Sequence, residues 1–323
     1  MELKRRHVIA MLAGGAIASP LVASAQPRRI PTVGALVIGN TDYTQFWNEF
    51  RLGLKELGYE EGRNVRFDLR SAQGDARRLG ALAAELVALN VDVIVTWFTP
   101  TAVAAKNATK EIPIVMADAG DPVGTGLVAS LPRPGGNVTG IAGITAELAG
   151  KSVELIRDML PGTRSVAALV NVADPFSKPF LEQILAGGEK AGVGIVPVRI
   201  NGAPEFEAAF AAVAKDRPDA LIVQPSLPSR RAAELAIIHR LPAVSVPRWF
   251  AEEGGLMSYS AKYDALYRKA AVYVDRILKG TPPADLPVEQ PVIFELVVNL
   301  KTARAIGVTI QPDFLVLANV ILE

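Results

Sequence analysis

The sequence predicts an α/β protein made of two Rossmann-like lobes with parallel sheets, and three observations support this. Short apolar runs alternate with segments of helical periodicity, which is the pattern of parallel βα units. The chain has 323 residues, more than one hydrophobic core usually holds, which favours two domains. Prolines at 282, 283, 287 and 291 then impose an extended connector that no helix tolerates.

The first series of predicted elements alternates strictly between apolar strands and helices. Each strand is a short apolar run bounded by turn residues, and Gly58 ends the first helix. A short helix is expected after Asp121, before a Pro- and Gly-rich stretch at 132–136. The predicted strands are 33–38, 65–69, 91–96, 114–117 and 138–142, and the predicted helices are 46–57, 77–89 and 101–109.

A second, comparable series follows and leads into a long amphipathic helix over 262–278, ended by Gly280. We expect three crossings between the lobes, near 141–145, near 259–262 and within 284–294, which together form a hinge. The first lobe is predicted to hold 31–142 plus about 261–285, and the second 143–260 plus about 286–323. The predicted strands here are 166–170, 195–198, 220–223 and 243–246, and the helices are 147–160, 176–191, 205–215 and 230–239.

The composition excludes several classes of chemistry. The chain has no cysteine and two histidines, so disulfides, thiolate catalysis and Cys- or His-cluster metal sites are excluded. The net charge of +1 and the lack of basic runs beyond the N-terminus argue against a nucleic acid partner. No dinucleotide or phosphate-loop motif follows a predicted strand, so we expect no cofactor.

The N-terminus has the pattern of an export signal. Basic residues at 4–6 precede an apolar stretch at 8–22, and Ala23-Ser24-Ala25 supplies small residues for cleavage after Ala25. The stretch is short for a membrane span. We therefore expect a protein exported to the periplasm with its signal peptide, residues 1–25, removed. Arg5 and Arg6 leave both the general secretory and the twin-arginine routes open.

Several motifs resemble one family over nearly the whole mature chain. They include Gly-Asp-Pro-Val at 120–123, Gly-Leu-Val-Ala-Ser-Leu at 126–131 and Arg-Pro-Gly-Gly-Asn-Val-Thr-Gly at 133–140. Gly-Gly-Leu-Met-Ser-Tyr at 254–259 and Phe-Glu-Leu-Val-Val-Asn-Leu at 294–300 belong with them. The chain resembles substrate-binding proteins of ABC importers of the tryptophan/tyrosine-binding type, which have the type I periplasmic-binding-protein fold.

The resemblance implies a function and its partners. A small carboxylate-bearing solute, such as an aromatic or other apolar amino acid, is expected to bind between the lobes. The protein would deliver it to the transmembrane subunits of an ABC permease, as a monomer and without catalysis. A sensory ligand-binding module and an α/β hydrolase or isomerase are the alternatives, because a fold alone does not decide function.

Candidate ligand-binding residues follow the predicted strands, where open α/β sheets bind their ligands. Thr99 and Thr101 open a helix whose free N–H groups suit a carboxylate, although a plain N-cap explains them equally well. Trp97 offers a flat wall for stacking, unless it packs in the core. Asp121 suits an ammonium group, with a turn role as its alternative. The full set is Asn40, Thr41, Trp97, Thr99, Thr101, Asp121, Asn171, Gln224, Ser226 and Tyr259.

Overall fold

A computed structural model describes residues 29–39 and 43–323, and its first sheet is fully parallel. This sheet has five strands in the order β2-β1-β3-β4-β5. The strands are β1 (Thr32–Val37), β2 (Arg66–Ser71), β3 (Val93–Trp97), β4 (Ile114–Gly120) and β5 (Val138–Gly143). The helices packed with it are α1 (Thr44–Glu56), α2 (Leu79–Ala88), α3 (Thr99–Ala108) and α9 (Tyr263–Leu278).

The second sheet has seven strands in the order β12-β11-β10-β9-β8-β6-β7. Its strands are β6 (Ser165–Asn171), β7 (Gly194–Ile200), β8 (Ala220–Val223), β9 (Ala243–Ser245), β10 (Met257–Ala261), β11 (Phe294–Asn299) and β12 (Val320–Leu322). Its helices are α4 (Thr145–Met159), α5 (Ser177–Ala191), α6 (Phe206–Asp216), α7 (Ser229–Ile238), α8 (Arg248–Glu252), α10 (Leu300–Ile306) and α11 (Pro312–Leu315).

Each sheet has its own hydrophobic core, and we refer to the two sheets with their helices as the first and second lobes. Strands β3 and β4 are buried along their whole length, because helices cover both faces of a parallel sheet. This explains why both strands are continuous apolar runs rather than alternating patterns. The second lobe has separate cores on the two faces of its sheet.

The chain passes between the lobes three times, and the crossing segments are hydrogen-bonded to one another. The Ala142 N–H donates to the Glu289 carbonyl over 2.8 Å, and the Glu289 N–H donates to the Gly140 carbonyl over 3.0 Å. The Lys262 N–H donates to the Ile293 carbonyl over 3.0 Å. The three crossings therefore lie side by side, as a hinge requires if few dihedral angles are to change.

The fold class predicted from the sequence is confirmed, with two local corrections. Strand β11 runs antiparallel to β10, so the second sheet is not wholly parallel. The chain enters β11 from the proline-rich connector, which comes from the first lobe rather than through a βα crossover. The short helix expected after Asp121 is a series of turns. None of the helices in the described part of the chain has the length and hydropathy of a membrane span.

Candidate functional site

An enclosed cavity lies between the lobes at the carboxyl ends of their strands. The first lobe contributes residues after β3 and near the end of β4, and the second contributes the loops after β6 and β8. The cavity volume is about 20 Å³, room for about one water molecule. Its lining consists of Phe98, Thr99, Asp118, Gly120, Thr145, Asp174, Phe176, Pro225 and Ser226.

Asp118 is a buried carboxylate without a protein partner in the described part of the chain. It is 3 % exposed and lines the cavity. No hydrogen bond or ion pair of the described residues includes its side chain, and burial alone raises its pKa to about 7. A buried charge without a partner is costly. The Asp118 carboxylate is therefore a candidate for pairing with a cationic group.

An irregularity in strand pairing surrounds Asp118. The register of β4 shifts against β3 at Thr96–Trp97 and against β5 between Met116 and Ala119. Such bulges re-aim side chains next to functional sites. Gly143 leaves room for the carboxylate, because a Cβ there would lie 2.2 Å from an Asp118 oxygen.

Asp174 is the second buried carboxylate of the cavity, and it is fully engaged. Its oxygens accept hydrogen bonds from the Gln224 amide over 2.8 Å and the Ser226 hydroxyl over 2.5 Å, and from the Phe176 N–H over 2.9 Å. Burial raises its pKa, and these three donors oppose the rise. Gln224 in turn accepts from the Asn171 N–H over 2.9 Å. Asp174 therefore holds the loops after β6 and β8 together.

The start of α3 is tied to the end of β4 through Thr99. Its hydroxyl accepts from the Gly120 N–H over 3.0 Å and lies 3.3 Å from the Gly120 carbonyl. Thr99 lines the cavity, whereas the Thr101 hydroxyl donates to backbone carbonyls of residues 97 and 98. Thr101 is thus occupied in the local structure of the helix start.

Phe98 reaches the cavity through a strained backbone conformation. Its φ of 73° and ψ of 158° belong to a region that is essentially restricted to glycine. Strain of this kind persists where surrounding contacts over-determine it. Here the Phe98 ring stacks on Trp97 at 4.4 Å between centroids.

Trp97 itself lies in the first lobe's core rather than in the cavity wall. It is 1 % exposed, stacks on Phe46 at 5.5 Å and donates its indole N–H to the Tyr267 hydroxyl over 3.2 Å. The flat wall expected from Trp97 is instead supplied by its neighbour Phe98. Trp97 supports that ring from behind.

Asp121 has the turn role that the sequence left as the alternative to binding an ammonium group. Its carboxylate accepts from the Gly124 N–H over 2.9 Å, and its φ is 38°. It does not line the enclosed cavity. Asp118, three residues earlier, does line it.

A larger groove of about 590 Å³ continues outward from the cavity, with Ser226 lining both. Asn171 lines the groove, together with residues 73–77 of the first lobe and Asn201, Gly202 and Pro204 of the second. A volume of this size is typical of ligand sites. Tyr259 lies in β10 beside Phe294, away from both spaces, and Asn40 and Thr41 fall outside the described residues.

Of the nine described residues that line the cavity, the predicted set contains Thr99 and Ser226. It lacks Phe98 and Phe176, and it lacks Asp118 because the sequence favoured Asp121 over it. Asp118 directly follows the predicted strand 114–117 and Phe98 comes two residues after the predicted strand 91–96, so position alone was a usable signal for them. Phe176 was placed at the start of a predicted helix, and nothing local indicated that its ring faces the other lobe.

The sequence model of the ABC transporter substrate binding protein family matches residues 38–321, which is most of the chain. The chain belongs to this family. A tyrosine-binding protein of Clostridioides difficile is 29 % identical to this substrate-binding protein over 263 residues, covering 80 % of the chain and 75 % of the relative.

Solved structures agree with the family. A Streptococcus pneumoniae ABC domain in complex with L-Trp has a TM-score of 0.85 and 28 % identity, covering 90 % of this chain and 99 % of that one. A conserved domain protein of Vibrio cholerae has a TM-score of 0.84 and 29 % identity, covering 91 % of this chain and all of that one. A leucine binding protein of Thermotoga maritima, at 15 % identity and a TM-score of 0.56, shares the fold.

Proposed function

We propose that this substrate-binding protein captures an amino acid with an apolar side chain between its lobes and delivers it to an ABC permease. The observation that carries the proposal is Asp118, a buried carboxylate that faces the cavity between the lobes and has no partner among the described residues. An ammonium group bound there would supply the opposite charge that the carboxylate lacks.

The rest of the cavity supports an amino acid rather than a simple anion. No lysine, arginine or histidine is among the described residues that line it, so an anion without an amine would face two carboxylates and no cationic side chain there. The ligand's own carboxylate has hydrogen-bond donors at the start of α3 near Thr99, where helix N–H groups are free. The proposal therefore retains Thr99 as a ligand contact from the first lobe.

The relatives support the same ligand class, since one is a tyrosine-binding protein and another was solved with L-Trp. Apolar surface for a side chain comes from Phe98 of the first lobe. We assign Ser226 to the second lobe's contacts and Asn171 to the outer groove. Gln224 is assigned a positioning role, because it is fully buried and both the oxygen and the nitrogen of its side-chain amide are already hydrogen-bonded.

We also propose where the protein acts and how its lobes move. We propose a periplasmic monomer, processed after Ala25, that binds and releases its solute without catalysis. We propose lobes of 31–142 with about 261–285 and of 143–260 with about 286–323, closing on the solute about the three adjacent crossings. A solute that touches both lobes favours the closed arrangement by its differential affinity.

Calorimetry with three related compounds tests the ligand class. L-Phenylalanine has both charged groups, phenethylamine lacks the carboxylate, and 3-phenylpropionate lacks the amine. We expect the amino acid to bind most tightly and the acid to bind most weakly, because only the acid leaves Asp118 without a partner. Equal binding of the acid and the amino acid would contradict the proposal. A parallel melting series provides a check, because a ligand that binds the folded state raises the melting temperature.

A further inference from the structure

We propose that Phe176 is a specificity-determining residue whose ring fills the ligand's side-chain space when the lobes are closed without solute. A ligand must then displace the ring, at a cost that grows with the size of its side chain. This inference rests on the proposed function, since it takes the cavity at Asp118 as the site of the ligand's ammonium group.

The Phe176 ring makes a contact across the cleft between the lobes. Phe176 follows β6 in the second lobe, but its ring lies directly against Gly120 of the first lobe. An ideal Cβ at Gly120 would meet three ring atoms at 2.2, 2.4 and 2.6 Å. The ring thus occupies space beside the end of β4, where Asp118 also faces the cavity.

With the Phe176 ring in place, the volume that remains in the cavity is too small for an amino acid. With the ring in this place the cavity holds about 20 Å³, which is close to one water molecule. No amino acid fits beside Asp118 in that space. Truncating a large buried side chain opens on the order of 100 Å³, as judged from an engineered cavity of about 150 Å³. The Phe176 ring is therefore large enough to account for the missing space.

The backbone of Phe176 is held by a hydrogen bond, whereas the adjoining groove leaves space into which its ring can rotate. The Phe176 N–H donates to Asp174, and Phe176 directly precedes α5. The adjoining outer groove offers about 590 Å³ on the same side of the cleft, lined by Ala173 three residues before Phe176. A rotation of the side chain, with the backbone held by Asp174, would clear the cavity.

The test compares the wild-type protein with Phe176→Ala and Phe176→Leu by calorimetry. The probes are glycine, L-alanine, L-leucine and L-tryptophan, which share the charged groups and differ in side-chain size. We expect Phe176→Ala to bind L-tryptophan about tenfold more tightly than wild type, equivalent to about 1.4 kcal/mol. Glycine should change little, and Phe176→Leu should give intermediate gains.

Phe180→Leu is the matched control, because Phe180 is buried beside Phe176 at 5.7 Å between ring centroids but does not line the cavity. It should leave the order of affinities unchanged. Weaker L-tryptophan binding by Phe176→Ala would make the ring a stacking wall and overturn the inference, as would a gain independent of ligand size. If the alanine variant does not fold, Phe176→Leu distinguishes the same outcomes.

The two proposals fail in different ways. If wild type binds members of the series but neither Phe176 variant shows a size-graded gain, this inference is wrong and the proposed function stands. If neither wild type nor the Phe176 variants bind any of the four amino acids, both proposals are wrong.

Discussion

The two lobes each bring one buried aspartate to the same cavity, and the two aspartates differ in their partners. Asp118 of the first lobe has none in the described structure, and burial alone raises its pKa. Asp174 of the second lobe accepts three hydrogen bonds at 2.5–2.9 Å, and these oppose the rise in its pKa.

The difference separates binding from positioning. A satisfied carboxylate stabilises the loops around it and gains little from a ligand. An unsatisfied one destabilises the closed protein until a cation arrives, so the energy of pairing becomes available for binding. In the proposed function the first lobe thus supplies the charge that selects the solute, and the second supplies a fixed wall.

The largest expected effect comes from removing the charge of Asp118. Asp118→Asn should weaken amino-acid binding by roughly 30-fold to 1,000-fold, or about 2–4 kcal/mol, because the ligand's ammonium group loses the buried carboxylate proposed to pair with it. Calorimetry measures this, with a denaturation curve to verify folding. If the variant binds like wild type, Asp118 does not bind the ligand's ammonium group.

The pH dependence of binding sharpens the comparison. Since burial raises the pKa of Asp118 to about 7, the empty site is protonated below that pH and must lose a proton to pair with an ammonium group. Affinity should therefore rise with pH up to about 7, by at most about tenfold per pH unit, and then level off. Burial raises the pKa of Tyr263 and Tyr267 further above 10, so these neighbours stay neutral.

Stability should change with the opposite sign. The folded protein holds the Asp118 proton more tightly than the unfolded chain, so the free energy of unfolding should fall as pH rises from about 4 to about 7. Calorimetry and urea denaturation at pH 5 to 8 measure both trends, with Asp118→Asn as the control. Equal slopes for wild type and control would show that another group titrates.

Removing the acceptor at Asp174 should affect stability more than binding. Asp174→Asn replaces one oxygen with a donor that faces existing donors from Gln224 or Ser226. We expect a loss of about 1–3 kcal/mol in the free energy of unfolding, measured by urea denaturation at pH 7.5. Asp118→Asn should cost no stability at that pH. Equal losses from the two substitutions would contradict the division of roles.

The smallest effect is expected at Asp121. Asp121→Ala removes the acceptor for the Gly124 N–H and should cost about 0.5–1.5 kcal/mol of stability, with unchanged affinity for an amino acid. The same calorimetric titration used for Asp118→Asn provides the comparison. If Asp121→Ala lost as much affinity as Asp118→Asn, Asp121 would be a residue that binds the ammonium group.

The sequence by itself determined the fold class and the family. Buried parallel strands such as β3 and β4 are continuous apolar runs, and glycine and proline mark where each unit ends, so both signals are local. The predicted crossings near 141–145 and 259–262 could be located for the same reason, because a strand ends there and a helix begins.

Only the tertiary structure distinguished Asp118 from Asp121, because the two lie in one short segment with the same residue type. A register shift of β4 against its neighbours surrounds Asp118, and pairing register depends on strands far away in sequence. Trp97 is buried by Tyr267, 170 residues later, and Phe176 meets Gly120 across the cleft. Such long-range contacts decide which side chains face the cavity, and local residue patterns contain no information about them.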